Sequence, residues 1–202
     1  MNNGDKMKLI IASNNKGKIR EFKALLEPMG YEVVSQSEAG VDIEVEETGE
    51  TFAENAALKA RAIFDATENS AVLADDSGLV VAALNGEPGV YSARYGGLGS
   101  DAERSAYLLE KMQGVADENR TARFMCCIHF VNADGSEISV QGKCEGKIGY
   151  EPTGENGFGY DPVFMYGDKS FAQVGAEVKN AVSHRANALK LLLEELKKQR
   201  GK

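Results

Sequence analysis

The chain has 202 residues, of which 43% are hydrophobic and 27% are charged, a composition typical of a folded globular protein. Its formal net charge of -8 argues against a general nucleic-acid binder, because such proteins present a basic face to phosphates. Its apolar runs fall short of the roughly 18 residues needed to span a bilayer. We expect one domain over 1–202, flexible ends at 1–6 and 199–202, and no nucleic-acid or membrane partner.

The chain begins with an apolar segment, 8–12, that predicts a buried strand, followed by a polar loop, 13–18, and a helix that ends near Pro28. Such an arrangement is typical of phosphate binding, because the start of a helix attracts anions. A solvated helix start capped by Ser13 or Asn14 explains the same residues equally well. A P-loop is excluded by Ala12 and Ile19, which replace its first glycine and its magnesium-binding hydroxyl.

An acidic segment from Glu38 to Glu50 follows the next predicted strand, 31–35, and most of its carboxylates are expected in a solvated loop. The sequence 51–54 is a capping box, Thr-Phe-Ala-Glu, which predicts the start of a helix. A second capping box, 100–103, predicts another helix further along. The first helix is expected to lead into the strand that carries the next pair of carboxylates, and the second is interpreted as scaffold.

The segment 71–81 is the most informative in the chain. Four apolar residues predict a short buried strand, Asp75 and Asp76 follow it, Gly78 predicts a tight bend, and a second apolar run returns. Adjacent carboxylates at the end of a buried strand are costly unless a metal ion or a basic side chain lies beside them. An ordinary turn is the competing interpretation.

The clearest strand pattern is 122–131, and the turn 132–135 predicts a hairpin into a partner strand over 137–144. His129 lies in the middle of this strand, where a structural role is expected. The cysteines Cys126, Cys127 and Cys144 are odd in number and two are adjacent, which predicts reduced thiols in a cytoplasmic protein.

A glycine-rich segment, 153–164, surrounds Phe158 and Tyr160. Its glycines would let the backbone approach a ligand while a ring supplies a stacking face, as nucleobase sites need. A plain loop stabilised by its aromatic residues is equally consistent. Beyond it, Lys179, His184 and Arg185 concentrate positive charge ahead of the final helix.

Taken together, these segments resemble the inosine triphosphate pyrophosphatase family in order and spacing from Ser13 to Arg185. The resemblance implies an α/β fold with an elongated mixed central sheet flanked by helices and two lobes with a cleft between them. It also implies a homodimer that hydrolyses non-standard purine nucleoside triphosphates (ITP, dITP, XTP) to the monophosphate and pyrophosphate, with Mg²⁺ as cofactor.

The same resemblance assigns the site residues. Asp76 is expected as general base and, with Glu44, as a magnesium ligand, although Glu46 or Glu47 could replace Glu44. Asp75 is expected to support the site. The substrate-binding residues it implies are Ser13, Asn14, Asn15, Lys16, Gly17, Lys18, Ser77, Phe158, Gly159, Tyr160, Asp161, Lys179, His184 and Arg185.

If the chain has the activity that the resemblance implies, the chemistry of these side chains suggests a role for several of them. Lys16, Lys18, Lys179 and Arg185 would neutralise the leaving pyrophosphate. Phe158 would stack on the base, and donors from His184 or Arg185 would read its 6-oxo group. Two alternatives stay open, a sister enzyme for pyrimidine triphosphates and a nucleotide sensor without turnover. A phosphatase of the haloacid dehalogenase type is disfavoured, because 75–77 lacks its Asp-x-Asp pattern.

Overall fold

The computed structural model describes residues 7–67 and 70–200. Its strands are β1 (Met7–Ile11), β2 (Tyr31–Ser35), β3 (Ala71–Val81), β4 (Thr121–Val131), β5 (Glu137–Ile148), β6 (Phe164–Tyr166) and β7 (Lys169–Ser170). Its helices are α1 (Lys16–Leu26), α2 (Phe52–Ala66), α3 (Asp101–Lys111), α4 (Ala176–Val182) and α5 (His184–Arg200). Short 3-10 helices cover Glu27–Met29, Ala82–Leu84, Gly89–Gly97 and Asp117–Asn119.

The strands form one seven-stranded sheet in the order β2-β1-β3-β4-β5-β6-β7. β1 runs parallel to both β2 and β3, whereas β6 runs antiparallel to β5 and β7. The sheet is therefore mixed, as predicted, and its strand order shows that it is open. Because β1 ends at Ile11, beside Leu73 of the parallel strand β3, the segment that leaves β1 emerges next to Asp75 and Asp76.

Both predicted capping boxes are confirmed. The Thr51 hydroxyl accepts from the N–H of Glu54 at 3.2 Å, and the Glu54 carboxylate accepts from the N–H of Thr51 at 3.0 Å. Ser100 and Glu103 repeat the arrangement at α3. At α1 the structure differs from the expected caps, because Asn15 rather than Ser13 or Asn14 accepts from the N–H of Lys18.

The predicted bend at Gly78 is wrong. β3 continues without interruption through the two aspartates to Val81, so the carboxylates lie inside a strand rather than at its end. Basic side chains that neutralise them, described below, remove the electrostatic reason for the strand to stop. With that charge compensated, β3 continues past Gly78 to Val81.

The hairpin between β4 and β5 is confirmed by the turn hydrogen bond from Asn132 N–H to the Ser136 carbonyl, 2.8 Å long. On β4, His129 places Nε2 3.0 Å from Oε2 of Glu137, which supports its predicted structural role. All three cysteines are buried and free, as expected for reduced thiols.

The chain forms two compact units, which among the described residues comprise 7–67, 70–76, 127–141 and 188–200 in the first and 77–126 and 142–187 in the second. The core of the first unit includes Ile10, Ile63 and Val72. That of the second includes Leu79, Leu108 and Phe164. The single two-lobed domain expected over 1–202 stays a prediction, and most of the expected flexible ends lie outside the described residues.

None of the helices within 7–67 and 70–200 has the length and apolar character that crossing a bilayer requires.

Candidate functional site

Two adjacent carboxylates in β3 form the centre of the first unit's polar cluster. Asp75 is 1% exposed and Asp76 is 5% exposed, so both are nearly withdrawn from water. A buried carboxylate is costly unless positive charge or hydrogen-bond donors compensate it. The neighbouring elements supply both kinds of compensation.

The first turn of α1 brings Lys18 to this pair. Its Nζ lies 3.1 Å from Oδ2 of Asp75, and the aspartate side chain is fully buried. The Asn15 cap fixes the first turn of α1, since its Oδ1 accepts from the Lys18 N–H at 3.0 Å. Parallel pairing of β1 with β3 explains why the two segments meet.

Helix α2 contributes Asn55 and Lys59, which lie on one helix face because they are four residues apart. Asn55 is fully buried, and its Nδ2 donates to Oδ2 of Asp76 at 3.1 Å. Its Oδ1 accepts from Gly49 N–H at 2.8 Å, which fixes the orientation of the amide. A Cβ at position 49 would lie 2.7 Å from that oxygen, so glycine permits the contact.

Lys59 connects the aspartates to the acidic segment. Its Nζ lies 2.6 Å from Oε1 of Glu47, donates to the Asp75 carbonyl at 2.8 Å, and lies 3.8 Å from Oδ1 of Asp76. Glu47 is half-buried, whereas Glu44 and Glu46 are exposed. Of the three candidate glutamates, the structure therefore brings Glu47 to the cluster, and Glu44 has no described contact with it.

The pKa values of the cluster follow from burial and charge. Burial raises the pKa of Asp76, and the ammonium groups of Lys59 and Lys18 oppose that rise. Burial alone would lower the pKa of Lys59, but Asp76, Asp75 and Glu47 outweigh it and the pKa is raised. Nearby Cys127 has its pKa raised to about 11 by burial, with the two aspartates adding to the effect. Its thiol is therefore protonated and unreactive at neutral pH.

A divalent cation fits the donor chemistry of this cluster. Three carboxylates, of Glu47, Asp75 and Asp76, face the two ammonium groups of Lys18 and Lys59, which leaves an excess of negative charge. Within 7–67 and 70–200, no three His, Cys, Asp or Glu side chains are placed to hold a metal by themselves. Mg²⁺ requires less than that, because it commonly takes one or two carboxylates, water and substrate phosphates.

The second unit contains a separate set of polar and aromatic residues around the segment 154–161, which we call the glycine-rich loop. Lys179 of α4 donates to Oδ2 of Asp161 at 2.5 Å, and both side chains are buried. The same carboxylate oxygen accepts from Phe158 N–H at 2.9 Å. The Lys179 ammonium lies 4.8 Å from the centroid of the Phe158 ring. Lys179 therefore forms an ion pair with this loop and lies beside the Phe158 ring.

Glycine is required at position 157 of this loop. Its φ is +82°, a conformation that side chains rarely adopt. A Cβ there would overlap Oδ2 of Asp161. The close approach of backbone and carboxylate that places the Phe158 ring thus depends on the absence of a side chain at 157.

Tyr160 serves as an anchor of the loop. It is 4% exposed, and its hydroxyl donates to the Ser92 carbonyl at 2.9 Å. The Ser92 hydroxyl in turn accepts from the N–H of Leu79 at 2.9 Å. Although Tyr160 was expected among the substrate-binding residues, its hydroxyl is engaged with the protein.

His184 and Arg185 begin α5 and are both buried. The His184 ring stacks on Phe124 with centroids 4.8 Å apart and an angle of 20° between the planes. Nη2 of Arg185 donates to the Ser77 hydroxyl at 3.0 Å. Ser77 directly follows Asp76 in β3, so the second set of residues begins where the first ends along the chain.

The remaining residues of the segment 13–18, which joins β1 to the first turn of α1, are open to solvent to different degrees. Ser13 is half-buried, and its hydroxyl accepts from Asn15 N–H at 3.1 Å. Asn14 and Lys16 are exposed, and Gly17 is half-buried. This loop therefore presents backbone and lysine donors at the start of α1, as an anion site requires.

Sequence reasoning missed Asn55 and Lys59, and it preferred Glu44 to Glu47. A lysine on an amphipathic helix normally indicates a solvated face. The available signal was the spacing of four residues between Asn55 and Lys59, which places both on the side of α2 that also carries buried Ala56 and Ala60.

Comparisons with known proteins agree with this fold. A sequence profile of the Ham1 family matches residues 9–195. The dITP/XTP pyrophosphatase of Bacillus subtilis strain 168 is 50% identical over 187 residues, which cover 91% of this chain and 93% of the relative.

Two solved structures resemble this chain over most of its length. The Ham1 protein of Staphylococcus aureus is 46% identical with a TM-score of 0.82, covering 95% of this chain and 99% of that one. A HAM1 protein from Coxiella burnetii is 41% identical with a TM-score of 0.83 and the same coverage. These matches confirm the resemblance inferred from the motifs, and the chain belongs to the Ham1 family.

Proposed function

We propose that this protein is a nucleoside-triphosphate pyrophosphatase that hydrolyses non-standard purine nucleotides, ITP, dITP and XTP, to the monophosphate and pyrophosphate. The observation that carries the proposal is the buried aspartate pair of β3, held by Lys18 and Lys59. A relative that shares half of its residues with this chain is named a dITP/XTP pyrophosphatase, which supports the same substrates.

Charge neutralisation is the first requirement of the reaction, because a nucleoside triphosphate carries about four negative charges near neutral pH. Lys18 and Lys59 adjoin Asp75 and Asp76 and would bind the phosphates. Exposed Lys16 would add a third cation, and the start of α1 would add backbone donors. In this proposal Lys179 and Arg185 serve the nucleoside end, because Lys179 is paired with Asp161 beside Phe158.

We assign Asp76 and Glu47 as the residues that hold a divalent cation, with Mg²⁺ as the preferred ion. Glu47 replaces Glu44 in this assignment because it shares the Lys59 ammonium with Asp76. When bound, the ion would neutralise phosphate oxygens and acidify the attacking water. Asp75 stays paired with Lys18 and supports the charge balance.

Asp76 orients and deprotonates the attacking water in the proposed reaction. Water attacks the α-phosphorus, its proton passes to the Asp76 carboxylate, and the bond from that phosphorus to the bridging oxygen breaks to release pyrophosphate. Burial raises the pKa of Asp76, which makes the carboxylate a stronger base than an exposed aspartate. The Asn55 amide donates to Oδ2 of Asp76 and thereby orients the carboxylate that is assigned to the water.

Selection of the base is assigned to the second set of residues. The Phe158 ring would stack on the purine, and donors from His184, Arg185 or the nearby backbone would read its 6-oxo group. Adenine carries an amino group at that position and would leave those donors unpaired, which discriminates more strongly than size does. Gly159 follows Phe158 in the chain, and the Ser77 hydroxyl accepts from Arg185 at 3.0 Å; both residues complete the proposed contacts.

The cellular setting follows from the chemistry of the chain. Three buried free thiols and a substrate from the nucleotide pool support a cytoplasmic location. The homodimer implied by the family resemblance stays a prediction.

A panel of nucleoside triphosphates tests the proposal directly. Purified protein with Mg²⁺ is incubated with ITP, dITP, XTP, ATP, GTP, dTTP and UTP, and pyrophosphate and orthophosphate are measured separately. We expect rapid pyrophosphate release from ITP, dITP and XTP and slow release from the others. Preference for the pyrimidine substrates would favour the sister enzyme, and retention of intact triphosphate would favour a sensor. Either result would overturn the assignment.

A further inference from the structure

The position of Phe158 depends on how the glycine-rich loop is held. Two anchors lie at its carboxyl end, where Asp161 accepts from Phe158 N–H at 2.9 Å and the Tyr160 hydroxyl donates to Ser92 at 2.9 Å. Glycines on both sides of Phe158 have positive φ, +82° at Gly157 and +63° at Gly159. Because glycine backbone is permissive, these positions need an external contact to keep one conformation.

Helix α3 supplies that contact through Asp101. Its Oδ2 accepts from the N–H of Gly159 at 2.6 Å, which is the peptide directly after Phe158. Its other oxygen pairs with Arg104, and Arg104 also donates to the Leu98 carbonyl at 2.8 Å. The carboxylate is therefore fixed on one side by its own helix and on the other by the glycine-rich loop.

Asp101 has no role in capping α3. The cap is formed by Ser100 and Glu103, whose side chains satisfy each other's backbone N–H groups. Asp101 adds a favourable charge at the first turn, but its oxygen reaches across 58 sequence positions to the loop. A charged acceptor on a backbone N–H is among the stronger hydrogen bonds of a protein.

We propose that Asp101 is a positioning residue of the substrate site, which fixes Gly159 and thereby holds the ring of Phe158 in place to stack on the base. Both partners of the contact with Gly159 belong to the chain itself, so no substrate atom is needed to form it. The effect on substrate rests on the proposed function, whereas the effect on the loop does not. Loss of the contact is expected to weaken base binding while the reaction centre around Asp76 is left as it is.

The first test reads the loop itself. The chain contains no tryptophan, so Phe158→Trp introduces a single tryptophan at the position in question, and its emission can be excited apart from that of the tyrosines. In that background we expect Asp101→Ala to lower the fluorescence anisotropy and increase quenching by acrylamide. Asp101→Asn, which keeps an acceptor oxygen, should restore both values. Glu103→Ala is the matched control, because it weakens the same helix start and leaves Asp101 in place.

The second test reads catalysis with the natural Phe158. Asp101→Ala should raise KM for dITP roughly 3- to 10-fold, as expected for one lost hydrogen bond, with kcat within about 2-fold. Glu103→Ala should change neither. Unchanged anisotropy in the Asp101→Ala protein, or an equal change in the Glu103→Ala control, would overturn the inference. If the wild-type protein fails to hydrolyse dITP, the proposed function fails, and the anisotropy comparison still decides the role of Asp101.

Discussion

Nζ of Lys59 lies 2.6 Å from a carboxylate oxygen of Glu47 and 3.8 Å from one of Asp76. One ammonium group thus separates two carboxylates that would otherwise repel each other. Its side chain is only 15% exposed, so solvent screens these interactions weakly. Lys59 therefore has two expected effects, one on stability and one on phosphate binding.

Replacing Lys59 with an uncharged residue of similar length tests both expected effects. Lys59→Met should lower the free energy of unfolding by about 2–3 kcal/mol, somewhat below the roughly 3–5 kcal/mol of a fully buried pair. It should also reduce kcat/KM for dITP by at least about tenfold, because one cation near the phosphates is lost. Urea unfolding and a pyrophosphate assay measure the two quantities.

The control for this substitution is Lys23→Met. Lys23 forms a comparable ion pair with Glu38 at 3.0 Å, but its partner's side chain is 50% exposed. We expect a change below about 1 kcal/mol and unaltered turnover. Equal losses in both variants would show that the buried position of Lys59 has no special importance.

Neutralising Asp76 tests its assignment as the base. Asp76→Asn should reduce pyrophosphate release from ITP by about two orders of magnitude or more, because the amide cannot take the proton of the water. The fold should persist, since burial already disfavours the charged form of Asp76. Circular dichroism and urea unfolding check the fold. Turnover near the wild-type rate would remove Asp76 from the chemistry.

Local sequence signals predicted most of the secondary structure. The capping boxes at Thr51 and Ser100 consist of neighbouring residues that satisfy each other, so no distant contact is needed to specify them. The alternation of residues in β4 and the turn at 132–135 are local in the same sense. The predictions of these elements were correct because each depends only on residues close together in the sequence.

Local sequence signals could not predict which charged residues, distant in the sequence, would neutralise one another. The bend at Gly78 was wrong because Lys18 and Lys59 neutralise Asp75 and Asp76 from other elements, and β3 therefore continues. Glu44 and Glu47 lie in the same acidic segment, and only the position of α2 shows which of them meets Lys59. The role of Asp101 depends on a contact with a loop 58 positions away.

The pair formed by His129 and Glu137 predicts how stability depends on pH. Burial lowers the pKa of His129, although the hydrogen bond to Glu137 opposes the shift. Below pH 6.5, the ordinary value, the unfolded chain binds a proton at this histidine that the folded chain resists. Stability is therefore fully present above pH 6.5 and decreases as the pH falls toward the lowered pKa.

His129→Gln removes this titration. The free energy of unfolding in urea, measured at several pH values from about 5 to 8, should fall less steeply for the variant than for the wild type. Glu137 does not confuse the comparison, because Arg61 lowers its pKa from 4.5 to about 2 and its own contribution is lost only within that lower window. Parallel curves above pH 5 would contradict the assigned shift.

The final prediction distinguishes Glu47 from Glu44 as the partner of Asp76 in metal binding. Glu47→Gln keeps an acceptor for Lys59 but loses the charge that a hard divalent cation prefers. The Mg²⁺ concentration for half-maximal pyrophosphate release should rise by about tenfold or more, which corresponds to roughly 1.4 kcal/mol. Glu44 is exposed, so Glu44→Gln is the matched control and should leave the Mg²⁺ dependence unchanged. A second measurement does not depend on turnover: Mn²⁺ is titrated in the absence of nucleotide, and its binding is measured from the paramagnetic relaxation of water protons. A larger effect of Glu44→Gln in both measurements would return the metal to the residue that the sequence suggested first.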